Sequence, residues 1–451
     1  MTSIDVPPTP VTEPGAPRRA GLRPLVLRLH FYAGLLIAPF LLVAATTGLL
    51  YAASFQIEKL VYQHELTAPA GQARLPLTQQ VAAARAAQPQ GKVSAVQPGV
   101  EAGQSTRVLL DVPGLAESTK LAVFVDPHTA QVRGRLESYG SSGALPVRAW
   151  ISNLHRHLHL GEPGRIYSEL AASWLWVVAL GGLVLWATGR RRRFLPERGT
   201  TGLRRTMSWH GSVGVWVVLG LLFLSATGLT WSKYAGENVD DLRTALGWST
   251  PAISTSAGDH AAHTPGAHQQ ETTSAISVDR VAQTAAGKGL SGPLEIVWPA
   301  ESGGAYVVKE IDKQWPVRLD QVAVDSATGQ VSGELRFADF PLAAKLTRWG
   351  IDGHMGLLFG LANQIVLMGV AAGLITLIVL GYRMWWRRRP AAGGLAVAPA
   401  RGAWRQVGRT PVGLLALLAV GVGIFLPLMG ISLLVFLVID LLLGRRAAGP
   451  R

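Results

Sequence analysis

Four stretches of this chain are each long and apolar enough to cross a bilayer, and they limit its fold more than any other feature: about 25 to 53, 168 to 189, 207 to 231 and 355 to 382. A spanning helix needs about 20 mostly apolar residues, because hydrocarbon offers the backbone no hydrogen-bond partner outside the helix itself. Arginines mark one side of every stretch. Arg18, Arg19, Arg23 and Arg28 accompany the first, Arg190 to Arg193 with Arg198, Arg204 and Arg205 lie between the second and third, and Arg383 and Arg387 to Arg389 follow the fourth. By the positive-inside rule these faces are cytoplasmic. The expected order is a cytoplasmic tail (1–24), span 1 (25–53), a periplasmic segment (54–167), span 2 (168–189), a cytoplasmic loop (190–206), span 3 (207–231), a second periplasmic segment (232–354), span 4 (355–382) and a cytoplasmic loop (383–410). The chain is thus expected in a bacterial inner membrane as a multi-pass protein in contact with lipid. Its formal net charge of +14 belongs to these topology anchors, so nucleic-acid binding is not expected.

The last apolar run, within 411–444, is long for one span and short for two, with Pro427 and Gly430 in its middle. Basic residues flank it at both ends, Arg401, Arg405 and Arg409 before and Arg445 and Arg446 after, which predicts a short hydrophobic hairpin that enters and returns. No cleavable leader is expected, since the first apolar segment is long, follows an Arg-bearing, Pro-rich tail and lacks a small-residue cleavage site. The chain has no cysteine, which excludes disulfides, iron–sulfur clusters and thiolate haem ligation.

An internal repeat runs through both parts of the sequence. Val125 to Leu136 aligns without gaps on Val324 to Leu335 at an offset of 199, and both copies read as a β-hairpin turning on Asp and Thr. Thr78 and Ser277, at the same offset, are expected to cap an Ala-rich helix. Each periplasmic segment therefore reads as a small α-then-β module of about 60 residues. In the spans, His30 precedes Thr47-Gly48-Leu49 by 17 residues and His210 precedes Thr227-Gly228-Leu229 by 17, an offset of 180. The fold class is then a membrane α-helical bundle of four spans plus a C-terminal hairpin, with two α+β modules, produced by duplication.

Ionisable groups inside spans are costly and mark function. His30 and His210 begin odd-numbered spans at the same depth, the cytoplasmic edge, where they can face each other across a flat cofactor. At the periplasmic edge, His155, His157 and His159 precede the second span and His354 precedes the fourth. Residues i and i+4 share a helical face, so His155 and His159 are alternatives for one ligand position opposite His354, with His155 preferred because the Gly161-Glu162-Pro163-Gly164 break places His159 nearer the turn, and His157 faces elsewhere. Bis-imidazole ligation suits a low-spin haem used for electron transfer, and two such centres, one per leaflet, would span the bilayer. Zinc fits less well, because structural zinc wants four ligands gathered at one point. His260, His263 and His268 occupy a Ser/Thr/Ala/Gly-rich linker, 249–274, and His64 and His128 read as surface residues.

The residues above resemble the PepSY-associated transmembrane-helix family, also described as iron-regulated or iron-uptake membrane proteins. Nearly the whole chain carries the resemblance, through Leu29-His30, Leu154-His155-Arg156 with Gly161-Glu162-Pro163-Gly164, Trp209-His210, Thr227-Gly228-Leu229, and most specifically Asp352 to Gln364. The periplasmic modules look like PepSY domains, and Pro427 to Leu434 with Asp440 looks like the family's C-terminal extension. Trp209 and the crowded His155 to His159 segment depart from the simplest pattern, which leaves the second-span ligand open. The resemblance implies a membrane reductase of ferric siderophores with haem b in the bundle. The cytoplasmic loops are too short and basic for a nucleotide-binding domain, so the electron donor is expected to be a separate partner, membrane quinol or a flavin reductase. A different class of reading is a non-enzymatic anchor whose PepSY modules bind or restrain a periplasmic protease or peptide. A third, a transporter of iron or siderophore, finds weak support in the Gly-rich spans with Asn363 and Gln364, and lacks an acidic ion path.

Overall fold

The computed structural model describes residues 21–69, 71, 73–189, 193–253, 276–301, 303–390, 399 and 407–447. The predicted linker with His260, His263 and His268 lies outside them almost entirely.

Among the described residues, five helices are long and apolar enough to cross a membrane: α2 (Ala38–Val61), α6 (Glu162–Ala187), α7 (Gly202–Leu229), α11 (Gly360–Arg387) and α13 (Pro427–Ala447). The first predicted span is broken. A short helix α1 (Arg23–Leu36) carries His30, and the chain turns at Ile37 before α2. Pro39 has no N–H to bond the carbonyl four residues back, and the freed Leu35 carbonyl accepts instead from the Tyr382 hydroxyl at 3.0 Å. The fourth span begins at Gly360 rather than Met355, because Met355 to Phe359 form a corner through Gly356, whose φ of +77° suits glycine. A 17-residue apolar helix α12 (Arg409–Phe425) folds back on α13 at Leu426, with Gly430 seated against Gly423. The C-terminal apolar run is thus two helices joined at Leu426, of which α13 is long enough to cross a membrane. Trp174 of α6 donates to Ser432 of α13 at 2.9 Å, and Arg28 pairs with Asp440.

Between the long helices lie α3 (Gln63–Leu66), α4 (Leu77–Ala87), strands β1 (Lys92–Gln97), β2 (Thr106–Asp111), β3 (Thr119–Val125) and β4 (Val132–Tyr139), and α5 (Pro146–His157). The second half supplies α8 (Tyr234–Ala245), α9 (Val278–Gly287), β5 (Leu294–Val297), β6 (Ala305–Glu310), β7 (Gln321–Asp325), β8 (Val331–Leu335) and α10 (Leu342–His354). The two modules are not separate. They form one antiparallel sheet of order β4-β3-β2-β1-β5-β6-β7-β8, joined where Ala95 pairs with Val297 and Val96 with Ile296. The hairpin turns are as expected: the Asp126 carboxylate accepts from the amides of His128 and Thr129, and Asp325 accepts from Ala327 and Thr328.

One sheet face packs on α4 and α9 through Val81, Ala84, Val281 and Ala285, and the opposite face meets the top of α2 through Leu109, Phe124 and Leu145 with Tyr62 and Leu66. Ser277 caps α9, accepting from the Arg280 amide. The Thr78 cap is a correction. Helix α4 starts at Leu77 after Pro76, and the Asp279 carboxylate of the other module takes the Leu77 and Thr78 amides. An ion offered by a neighbour binds the free N–H groups at this end better than the neutral hydroxyl does.

Candidate functional site

His30 and His210 come together. Their ring centroids are 6.3 Å apart with planes at 77°. A metal held about 2 Å from each of two imidazole nitrogens separates the ring centres by about 6 Å, so the spacing suits a shared iron. His30 Nδ1 donates to the Val178 carbonyl of α6 at 3.0 Å. A carbonyl can only accept, so this nitrogen carries the proton and Nε2 keeps its lone pair for a metal. His210 Nδ1 is buried without a hydrogen-bond partner among the described residues, with the Leu377 carbonyl of α11 beside the ring. Val178 and Leu377 stand 199 residues apart. So do Gly182 and Gly381, where a Cβ would lie 3.2 Å from His30 Cε1 and 4.0 Å from His210 Cε1.

His155 and His354 sit at the sheet end of the bundle and line one cavity of about 520 Å³. That volume falls within the range of cofactor sites, roughly 300–1,000 Å³. His155 is the last turn of α5 and His354 ends α10, so each is presented by a short helix that joins the sheet to the next span. Thr47 Oγ1 of α2 lies 2.9 Å from His155 Nδ1, and Thr227 Oγ1 of α7 lies 2.7 Å from His354 Nδ1. Tyr51 stacks on His155 at 6.3 Å, and Trp231, its partner at the 180 offset, meets His354 edge-on at 5.5 Å. Gly48 and Gly228 leave room for the imidazoles: a Cβ there would be 3.1 Å and 3.5 Å from the respective Cε1 atoms.

Buried ion pairs fix the two short helices. The Glu58 carboxylate of α2 accepts from Arg148 Nε at 2.9 Å and from the Leu145 amide at 2.8 Å, anchoring the start of α5. Arg348 forks onto Asp352 at 2.7 and 2.8 Å within α10. Asn363 and Gln364 donate to the Gly353 and Gly356 carbonyls, bracing the corner after His354. The Asp352–Gln364 run singled out in the sequence is thus the frame that sets His354. Arg156, Arg165, Lys313 and Arg348 line the sheet-side end of the cavity, while Leu41, Ala171, Leu221 and Leu374 line its body. Burial, with Arg348 nearby, pushes the Lys313 amine down to about 8, and burial raises the Asp352 carboxyl against the pull of Arg348.

His159 does not share the face of His155. Helix α5 ends at His157, Leu158 and His159 both take left-handed backbone (φ +54°), and the exposed His159 ring stacks on Trp150 with Nε2 3.0 Å from the Trp150 carbonyl. The helical spacing argument fails because there is no helix past His157. His157 Nδ1 is buried without a partner among the described residues. His64 and His128 contact Arg133 and the Ala73 carbonyl at the surface. Sequence reasoning missed the hydroxyls of Thr47 and Thr227, although their repeat was visible. Among the described residues no three His, Asp or Glu side chains gather to hold a metal ion alone.

Compared with protein families, residues 27–388 match the PepSY-associated TM region. No curated protein matches the chain.

Proposed function

Since the chain belongs to the PepSY-associated transmembrane family, we propose that it is a haem-containing inner-membrane reductase that passes electrons across the bilayer to periplasmic ferric iron, held in a ferric siderophore. The observation that carries this reading is the set of four histidines in two duplication-related pairs at opposite ends of one bundle, the Arg-side rings 6.3 Å apart. His30 with His210, and His155 with His354, would each hold one haem b. Bound in this way, the group would supply an iron that changes between ferric and ferrous states.

The residues present fit such a group. His30 offers a lone pair at Nε2, and the sheet-side cavity joins an apolar body to a cationic mouth, as an apolar ring bearing carboxylates requires. The chain's own part is to orient. Val178, Thr47 and Thr227 hold imidazole edges, and Glu58–Arg148 and Arg348–Asp352 hold the helices that carry His155 and His354. At the mouth, Arg156, Arg165 and Lys313 provide positive charge for an anionic ferric complex too bulky to enter. The donor is a separate partner, quinol or a flavin reductase, meeting the Arg-rich face.

The test is spectroscopic. Detergent-purified protein from a haem-replete host should show a Soret band, sharp α and β bands after dithionite, and about two haems per chain, and the reduced form should be reoxidised by a ferric hydroxamate. Colourless protein would refute the haem reading, and a ratio near one would confine it to His30 and His210. His30→Ala or His210→Ala should remove one centre and spare the other, with His155→Ala and His354→Ala doing the reverse. Uniform haem loss in all four would replace two sites by one.

A further inference from the structure

The Thr-Gly-Leu repeat has no part in ligation, yet both copies place a hydroxyl on an imidazole. Thr47 Oγ1 is 2.8 Å from the Val43 carbonyl and 3.2 Å from that of Ala44, and Thr227 Oγ1 is 2.7 Å from the Phe223 carbonyl. Carbonyls only accept, so each hydroxyl gives its single proton back to its own helix, one turn earlier. What remains toward the histidine is an oxygen lone pair. With the hydroxyl proton directed to its own helix, Nδ1 is left as the donor to Thr47 and Thr227, an arrangement that keeps Nε2 unprotonated.

We propose that Thr47 and Thr227 are positioning residues that fix His155 and His354 as Nδ1–H tautomers, so that each presents the Nε2 lone pair to the haem of the sheet-side cavity. The inference rests on the haem reading for its cofactor, though not for its tautomers. Chemically it does for the sheet-side pair what the Val178 carbonyl does for His30, with a side chain in place of a main-chain acceptor. Partners of this kind fix ring orientation at metal sites, and their loss costs about 10–100-fold in metal affinity. The glycine beside each threonine completes the arrangement, since it lets the ring edge lie against the helix while Nδ1 reaches the hydroxyl.

The experiment uses the full chain with Thr47→Val and Thr227→Val, which keep shape and remove the hydroxyl, together with Thr47→Ser and Thr227→Ser. Thr46→Val is the control: the exposed Thr46 makes the same back-bond, 2.8 Å to the Leu42 carbonyl. Haem loss to apomyoglobin should be about 10–100-fold faster from the sheet-side centre in either valine variant. Its electron paramagnetic resonance g values should shift, while the His30/His210 signal stays unchanged. The serine variants should recover both, and Thr46→Val should match the unmodified chain. Valine variants with unaltered haem retention and g values would overturn the proposal. The tautomers are read separately, by 15N NMR of histidine-labelled full chain before haem is added. Protonated Nδ1 on His155 and His354 supports the proposal, and protonated Nε2 on either ring in the unmodified chain overturns it. A chain that takes up no haem would refute the proposed function, and the 15N result would then decide the tautomer assignment alone.

Discussion

Gly48 and Gly228 are equivalent by duplication, yet alanine should act oppositely at the two positions. Gly48 lies in the interior of α2, where replacing glycine by alanine gains about 1 kcal/mol from backbone entropy, and Gly228 lies in the last turn of α7, where the gain is up to about 1 kcal/mol. At Gly228 the new Cβ would sit 3.5 Å from His354 Cε1 and 4.0 Å from Ala172 Cβ, ordinary contact that leaves the gain intact. At Gly48 it would sit 3.1 Å from His155 Cε1. His155 cannot easily retreat, with Thr47 at Nδ1 and Tyr51 stacked on the ring. Overpacking of this kind costs about 1–3 kcal/mol, so Gly48→Ala should be destabilising by about 1 kcal/mol and Gly228→Ala stabilising by up to about the same. The difference, up to about 2 kcal/mol, is at most roughly 30-fold in an equilibrium constant. Thermal unfolding in detergent, followed by tryptophan fluorescence, should place Gly228→Ala above the unmodified protein and Gly48→Ala below it. The His155 ring should be displaced only in Gly48→Ala, with faster haem loss from the sheet-side centre. Equal melting temperatures and equal haem retention for the two variants would refute the reasoning.

Glu58→Gln should lower stability by about 3–5 kcal/mol, because it leaves Arg148, with only 5% of its side chain exposed, without its counter-charge. The loss should appear as a lower unfolding temperature and a loosened sheet-side centre, with His30 and His210 unaffected. Lys313 is pushed down to about 8 by burial and by Arg348, against the opposing pull of Asp352. Between pH 8 and about 10.4, the ordinary lysine value, the unfolded chain holds a proton that the folded chain has released, so Lys313 makes stability rise with pH across that window. Lys313→Met should flatten this part of the melting-temperature profile, and an unchanged slope would exclude Lys313 as its source. Binding of an anionic ferric complex such as ferric citrate at the cavity mouth should weaken as pH rises through 8 and lose that dependence in Lys313→Met.

Much of the architecture was legible because it follows from periodicity and hydropathy. The apolar runs, the Arg flanks, the break in the C-terminal run and the two Asp-Thr turns needed no tertiary information. His155 and His354 stand 199 residues apart, as do Val178 and Leu377, and Gly182 and Gly381. What the sequence hid was decided by contacts between distant segments. The sheet continues across both modules because β1 and β5 each had a free edge, and nothing local announces such a pairing. Asp279 displaced Thr78 as the cap of α4 from 201 residues away. His159 was misplaced because the end of α5 depends on left-handed backbone at Leu158, a residue with no intrinsic preference for it.

The Thr–His contacts also explain why the repeat has two offsets. Thr47 and His155 are 108 residues apart, and Thr227 and His354 are 127 apart. The second half thus carries 19 more residues between hydroxyl and imidazole, in the stretch that holds α8 and the segment before α9. The added length changes neither partner: Nδ1 meets the threonine at 2.9 Å in one half and 2.7 Å in the other, with an aromatic ring beside each imidazole. Helix α8 is accommodated at its own site, where the buried Glu169 carboxylate accepts from the Tyr234 and Ala235 amides at its start. Inserted chain is therefore absorbed between the elements, and the geometry at the imidazoles is set by the rigid helices α2, α5, α7 and α10. An insertion within the loops before α4 or α9 should for the same reason leave both Thr–His contacts in place, whereas one residue added inside α5 would rotate His155 by about 100° and carry it away from Thr47.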